Sequence, residues 1–332
     1  MRKTLVLAFA LIIIVVGGVV WQSLQESPAA YSFEAYTWKK EGVVLSPSAG
    51  SDVAVEPSVL FDSDPQILVG ATNVFKMWYR QFDQAESRAM VVYYAESEDG
   101  KTWVKYSGNP VLNNSDGKHP CPFVFKYNST YFMYVHSGEM VRIDRYVSSN
   151  GLRWTKDKIG ALALGARGSW DDGNIGNVCV WVEGVNDWRM IYEATSSMEP
   201  WKLGYATSRD GKNWTKHANP VLQGQGSCGG PYVYKLNQTF YMWYHNCATK
   251  YGLPTDICLA ASKNLIAWTK HPENPVLNRT EPWEGSEGYE GQLADPSVLM
   301  VEGSVWIWYA AVPNQTPPPD QCIALAKNTG SP

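Results

Sequence analysis

The chain has 332 residues, 45% hydrophobic and 18% charged, with a formal net charge of −4. That excludes a disordered polymer, which needs low hydrophobicity and high net charge. Lys and Arg (28) do not exceed Asp and Glu (32), which excludes a basic nucleic-acid binder. Aromatic residues are abundant, at 15 Trp, 19 Tyr and 9 Phe, beside 28 Gly and 20 Pro. Aromatics with many turn formers point to short strands rather than helices.

At the N-terminus, Arg2 and Lys3 precede an uncharged apolar run from Leu5 to Trp21. Residues 1–30 fit a cleaved signal peptide with small residues at Ala29-Ala30. They fit a membrane anchor equally, with Trp21 at the interface. Both readings place residues 31–332 outside the cytoplasm, secreted or held at the cell surface. Sequons of the N-x-[ST] type start at Asn113, Asn128, Asn213, Asn237, Asn278 and Asn314. Chance predicts roughly two, so a glycoprotein is expected. The six cysteines, Cys121, Cys179, Cys228, Cys247, Cys258 and Cys322, would tend to oxidise in that compartment. Cys247 and Cys258 could pair across neighbouring strands, and the connectivity stays open.

An internal repeat organises the rest. Ser97-Glu-Asp-Gly-Lys-Thr-Trp103 is followed by Asn109-Pro-Val-Leu112. The pattern returns at Ser149 to Trp154, at Ser208 to Trp214 with Asn219 to Leu222, and at Ser262 to Trp268 with Asn274 to Leu277. A fifth copy is split: the chain ends at Ile323 to Asn328, and the missing half stands at Trp38-Lys-Lys and Val43-Val-Leu45. Each copy follows a short strand, a polar turn and an aromatic strand, such as Glu56-Pro-Ser-Val-Leu60 with Phe75-Lys-Met-Trp-Tyr79. The Asp-Gly and Asn-Gly dipeptides are hairpin signals. Four strands per unit predict an all-β, five-bladed β-propeller over residues 31–332. The N-terminal strand would close the last blade and remove the open edge.

The topology brings two columns of residues to one mouth of the channel. The first strands of the blades start at Glu56, Cys121, Asn177, Gly230 and Asp295; the second strands end at Arg80, His136, Glu193, His245 and Ala310. Paired carboxylates facing a channel suit glycoside hydrolysis, one as acid and one as base or nucleophile. Glu193 is expected as the general acid, held protonated by burial beside Asn177, with Asp295 or Glu56 as the base. Arg80, His136, Asn177 and His245 would hydrogen-bond sugar hydroxyls. His136 and His245 are read as hydrogen-bonders rather than metal ligands, and no metal or cofactor is expected. Trp170, Trp201 and Trp283 are left over from the repeat. Of these, Trp170 and Trp283 are expected as substrate-binding platforms. The stretch Glu281 to Glu290 is read as a loop over the mouth, and Pro317 to Pro319 as a rigid loop.

With these motifs the chain resembles the five-bladed propeller glycosidases, among them glycoside hydrolase families 43, 32 and 130. The resemblance rests on the Asp/Glu-Pro-Ser-Val-Leu strand starts, the Ser-x-Asp-Gly-x-x-Trp turns and the Asn-Pro-Val-Leu tails. It implies carboxylates at the first strands of the first three blades. Glu56 matches where the family usually has Asp. The second blade has Cys121, with Asp116 and His119 upstream, and the third has Asn177, with Asp171-Asp172 upstream. Asp295-Pro296 is the best match to the family's first-blade motif. The expected function is an exported, monomeric glycan-active protein, most simply a glycosidase on oligo- or polysaccharide. The alternative is a non-catalytic surface propeller that binds glycan or a protein partner. A sialidase-like reading would need six blades and an arginine triad.

Overall fold

In the computed structural model, the described residues are 36–83, 89–113, 120–197, 199–247, 254–285, 291–313 and 321–330. Residues 33–332 form one compact unit. The apolar run Leu5–Trp21, Asp116, His119, Asn314 and Pro317–Pro319 lie outside the described residues. Among the described residues no helix is long and apolar enough to cross a membrane.

The described chain is all-β, apart from one 3-10 turn at Pro282–Glu284. Strand β1 is Trp38–Leu45. Strands β2 (Ala54–Asp62), β3 (Val74–Asp83), β4 (Ala89–Ser97) and β5 (Val104–Lys105) form one antiparallel group, and β6 (Leu112–Asn113) also pairs with β4. Strands β7 (Phe123–Tyr127), β8 (Thr130–Ser137), β9 (Arg142–Ser148) and β10 (Thr155–Ala163) form the next. A third contains β11 (Asn174–Gly184), β12 (Asp187–Thr195), β13 (Lys202–Ser208) and β14 (Trp214–Lys216). A fourth contains β15 (Cys228–Leu236), β16 (Thr239–Cys247), β17 (Thr255–Ser262) and β18 (Thr269–Lys270). The last runs β19 (Gln292–Val301), β20 (Ser304–Val312), β21 (Cys322–Asn328), and its fourth strand is β1. Trp38 pairs with Asn328 and Leu45 with Ile323, so the two ends of the described chain close one sheet. One parallel position, Thr255 opposite Gln292, links the fourth and last groups.

The hydrophobic core is divided into seams between successive groups. Trp78, Val92 and Tyr94 pack on Val124, Tyr131 and Met133. Tyr134 and Ile143 pack on Val178, Met190 and Tyr192. Ile191 and Leu203 meet Met242, Tyr244 and Cys258. Trp243, Ile257 and Leu259 meet Leu293, Ile307 and Tyr309. Trp308, Ile323 and Leu325 return to Val59, Phe75 and Met77. The sheet faces are thus buried on one another, in a cycle that ends where it began.

The repeated turn is built the same way each time. Ser97, Ser148, Ser208 and Ser262 accept with Oγ the amides of Gly100, Gly151, Gly211 and Leu265, at 2.8–2.9 Å. Asp99 Oδ1 accepts the amides of Lys101 and Thr102, and Asn150, Asp210 and Asn264 do likewise two and three residues on. The closing Trp then donates its indole N–H back into the turn: Trp103 to Gly100 O, Trp154 to Gly151 O, Trp214 to Gly211 O and Trp268 to Leu265 O. Three of these carbonyls take a second donor from the neighbouring group. Trp308 Nε1 donates to Gly100 O at 2.9 Å, Trp78 Nε1 to Gly151 O at 2.8 Å, and Tyr134 Oη to Gly211 O at 2.7 Å. The Asn-Pro-Val-Leu tail has a mechanism too. Asn109 clamps Tyr94 through both backbone groups, at 2.8 and 2.9 Å, and Asn274 clamps Leu259 at the same distances.

The cysteine expectation is corrected. All six cysteines are buried thiols and none forms a disulfide. Cys247 stands opposite Thr255 and Cys258 opposite Tyr244, three positions apart along the same strand pair. That register keeps their side chains from meeting.

Gly151 has φ 77°, and a Cβ there would stand 2.6 Å from Trp78 Cζ2. Gly151→Ala should therefore cost about 2–4 kcal/mol, from left-handed strain plus overpacking. Gly70→Ala, at φ 99° with nothing within 4 Å, should cost only the strain, about 1–2 kcal/mol. Urea denaturation of both variants checks this; equal losses would remove the close approach from the account.

Candidate active site

The inner strands meet around one cavity. Glu56, Cys121, Asn177, Gly230 and Asp295 all line it, with Pro57, Pro122, Pro231 and Pro296. The backbone explains why they turn inward. Four of the five inner strands carry a bulge beside their partner, between Val55 and Ser58, Ile175 and Val178, Gly229 and Tyr232, and Ala294 and Ser297. Glu56, Gly230 and Asp295 take φ of 56°, 55° and 51°, and each precedes a proline, which disfavours the right-handed helical region. Glycine adopts that conformation freely; Glu56 and Asp295 hold it at a cost of roughly 1–3 kcal/mol each. Strained backbone thus coincides with two of the three candidate carboxylates.

The second strands supply the partners. Arg80 stands opposite Val55, and its Nη2 lies 2.9 Å from Glu56 Oε1. His245 stands opposite Gly229, with Nδ1 3.4 Å from Asp295 Oδ1 and 3.3 Å from the Asp295 amide. Glu193 lies opposite the bulge at Gly176 and Asn177, and its Oε2 accepts the Gly230 amide at 2.6 Å. Asn177 Nδ2 donates to Asp295 Oδ1 at 2.6 Å. Asp295, Asn177 and His245 thus form one polar set, Glu56 and Arg80 a second, and Glu193 is held at the Gly230 amide.

Electrostatics follow from burial. Burial pushes Glu56 up to about 7; Arg80 opposes this, Asp295 and Glu193 add to it, and the neighbouring Cys121 thiol opposes it. Burial also raises Glu193, against His245 and the Asn177 and Gly230 amides, with Asp295 adding to the rise. His245 is raised although burial opposes its charged form, because Asp295, Glu193 and Glu56 surround it. Cys121 is held far above the ordinary thiol range by burial and by Glu56, so it is no nucleophile at neutral pH. Two buried acceptors in the cavity wall, Glu56 Oε2 and Asn177 Oδ1, have no hydrogen-bond partner.

The other sequence candidates lie elsewhere. His136 is 3% exposed, opposite Ile143, and is not part of the cavity lining. Trp170 is stacked on Tyr192, with centroids 5.8 Å apart, inside the seam between the second and third groups. Trp283 packs on the seam between the fourth and last groups. Neither tryptophan reaches the cavity. The loop at Glu281 is held inward: Glu284 is fully buried and accepts Lys40, Tyr309 and the amides of Thr280 and Glu281. Residues 286–290 of that stretch lie outside the described residues. Asp171 is bound to Lys216, Ser169 and Tyr192. Among the described residues no group of three His, Cys, Asp or Glu is arranged to hold a metal.

Sequence reasoning missed two glycines. A Cβ on Gly176 or on Gly229 would strike the Glu193 carboxylate well inside van der Waals contact, and on Gly229 it would also stand 2.8 Å from His245 Nε2. The Gly229-Gly230-Pro231 run beside a strand start was the available signal for a close approach.

The fold has known counterparts. A family model for the glycosyl hydrolase family 32 N-terminal domain matches residues 17–170, and one for β-1,4-mannooligosaccharide phosphorylase matches residues 185–315. The chain shares the fold of the propeller-type glycoside hydrolase superfamily. A 1,2-β-oligomannan phosphorylase from Thermoanaerobacter sp. (strain X514) is 29% identical over 114 residues, 33% of this chain and 37% of that protein. The matched segment thus spans little more than a third of that relative's length. A solved structure from the family of mannoside phosphorylases, described as containing glycoside hydrolases that target β-1,2 mannosidic linkages in Candida mannan, superposes with TM-score 0.67 at 15% identity. It covers 92% of this chain and 97% of its own. The catalytic domain of an α-L-arabinofuranosidase from Coprinopsis cinerea gives TM-score 0.66 at 10% identity, over 90% and 98%.

Two outcomes test this geometry. Glu56 binds protons more tightly folded, at about 7, than at its ordinary 4.5. The folded state then holds more protons between those values, so this group's stabilisation is complete below about 4.5 and lost as pH rises through about 7. Glu56→Gln should flatten the stability profile in that window, read by urea titration at several pH values. Gly229→Ala should displace Glu193 and cut any turnover by about 100-fold or more, since small misplacements cost that much; unchanged turnover would contradict the packing.

Proposed function

We propose that the protein is an exported glycan-active enzyme that breaks glycosidic bonds in oligo- or polysaccharide by carboxylate acid–base chemistry. The observation that carries this is the pair Glu56 and Asp295 in one cavity wall, with Glu193 held at the amide of Gly230 in that wall and raised by burial. Its scaffold is read as a five-bladed propeller over residues 31–332. The cyclic seams and the pairing of β1 with β21 support that reading.

Glu193 is the general acid. It gives its proton to the leaving glycosidic oxygen while Asp295, held by Asn177 and His245, faces the anomeric carbon or the acceptor as base. Arg80 keeps Glu56 anchored in the wall. The acceptor is water, or inorganic phosphate as the phosphorylase relatives suggest. Glu193→Gln should lower turnover by about 100- to 10,000-fold, the usual worth of a general acid. The assay is β-1,4- and β-1,2-linked mannooligosaccharides with and without phosphate. Sugar 1-phosphate released only with phosphate marks phosphorolysis, and reducing sugar without it marks hydrolysis. Full activity in Glu193→Gln removes it from the role.

One observation favours the non-catalytic reading: the second and third inner strands present Cys121 and Asn177 rather than carboxylates. Binding on a glycan array without any released product would decide for it. Export rests on Arg2, Lys3 and the run Leu5–Trp21. The described sequon residues Asn113, Asn128, Asn213, Asn237 and Asn278 are all exposed, which suits glycosylation. The chain is secreted or membrane-anchored, and fractionation of cells expressing the full chain tests it: material found in the cytoplasm alone would refute export.

A further inference from the structure

Asn177 occupies a place where its two amide atoms have different tasks. Its Nδ2 donates to Asp295 Oδ1 at 2.6 Å. The amide oxygen would be repelled there by the carboxylate, so the orientation of the group is set by its partner. Its Oδ1 is then directed to the other side of the amide, where it is buried and has no hydrogen-bond partner. Glu56 is in a similar position. Arg80 takes Oε1, and Oε2 is buried with no hydrogen-bond partner. Glu56 itself is 9% exposed. Both residues line the same cavity as Asp295. Buried acceptors normally have a donor, and those that lack one call for a ligand that brings it.

What that ligand carries follows from the sign of the groups. Asn177 Oδ1 can only accept, and Glu56 Oε2 accepts whenever its carboxyl is ionised. Asp295 shares the same lining, and Glu193 accepts the amide of Gly230 in that lining. Hydroxyl groups satisfy such a wall, because each can donate one proton. A carboxylate on the ligand would face acceptors and like charges, an arrangement that rejects it.

We propose that Asn177 is a positioning and specificity residue: Nδ2 holds Asp295 in place, while Oδ1, with Glu56 Oε2, accepts hydroxyls of a neutral sugar ring and excludes sugars bearing a carboxylate. This rests on the glycan-active reading and names the substrate class that the site takes.

The test uses the full chain on a printed array of neutral and uronic oligosaccharides, then calorimetry on the strongest ligand. Binding of neutral glycans at least about tenfold tighter than their uronic counterparts is expected, since sites built to pair hydroxyls discriminate strongly. Binding of both classes alike overturns the proposal and leaves the glycan-active reading standing. Binding of neither, with no turnover, overturns both. Two variants separate positioning from structure. Asn177→Leu removes donor and acceptor, and turnover should be lost at every pH. Asn177→Asp removes the donor at neutral pH. As pH falls, its new carboxyl takes up a proton and donates to Asp295 again, so part of the turnover should return on the acid side. Identical pH profiles for the two variants would overturn the positioning role.

Discussion

The architecture depends on one shared acceptor, the carbonyl at the tip of the Ser-x-Asp/Asn-Gly-x-x-Trp turn. It takes an indole N–H from its own closing tryptophan and, at Gly100 and Gly151, a second from Trp308 and Trp78 of the preceding group. At Gly211 the second donor is Tyr134. A four-stranded sheet standing alone would leave two apolar faces in water. Here each face is buried by its neighbour, and the shared carbonyl fixes how closely the neighbours approach. At Gly100, Gly151 and Gly211 an aromatic ring lies against the tip and leaves no room for a Cβ, while Leu265 holds the fourth tip at positive φ without glycine. That dependence explains why a chain with modest charge carries so many tryptophans. They serve as hydrogen-bond donors as much as apolar mass.

The candidate site uses the opposite strategy. Regular pairing is broken by bulges, and Glu56 and Asp295 are held in left-handed backbone by the prolines and strands around them. Where the two designs meet, side chains are replaced by glycine: Gly176 and Gly229 leave room for the Glu193 carboxylate, and Gly230 gives it an amide. Burial then does chemical work. It raises Glu56 and Glu193 together, while the surrounding carboxylates raise His245 against its burial. Such a cluster of shifted groups in one cleft is the usual mark of a reacting centre.

Several features were readable from residues alone because they repeat. The turn dipeptides, the aromatic strands and the Asn-Pro-Val-Leu tails are local, and each recurrence reinforced the others. The split last copy was readable for the same reason, and β1 does pair with β21. Non-repeating features misled. Trp170 and Trp283 stood outside the pattern and suggested a sugar platform, yet both pack in seams, because aromatic surplus in a layered sheet protein is absorbed by its interfaces. An even cysteine count suggested disulfides, yet all six are free thiols, and strand register separates Cys247 from Cys258.

By itself the sequence determined the repeat, the strand order within each unit and the two columns of residues that could face a channel. These follow from turn chemistry and strand alternation, which act over a few residues. Only the tertiary structure decided which of those residues share a cavity, that Arg80 belongs to Glu56, that Asn177 and His245 belong to Asp295, and that Gly229 exists for Glu193. Those pairings join strands far apart in the chain. Their energies come from burial and from distances of a few ångströms, which no local pattern encodes.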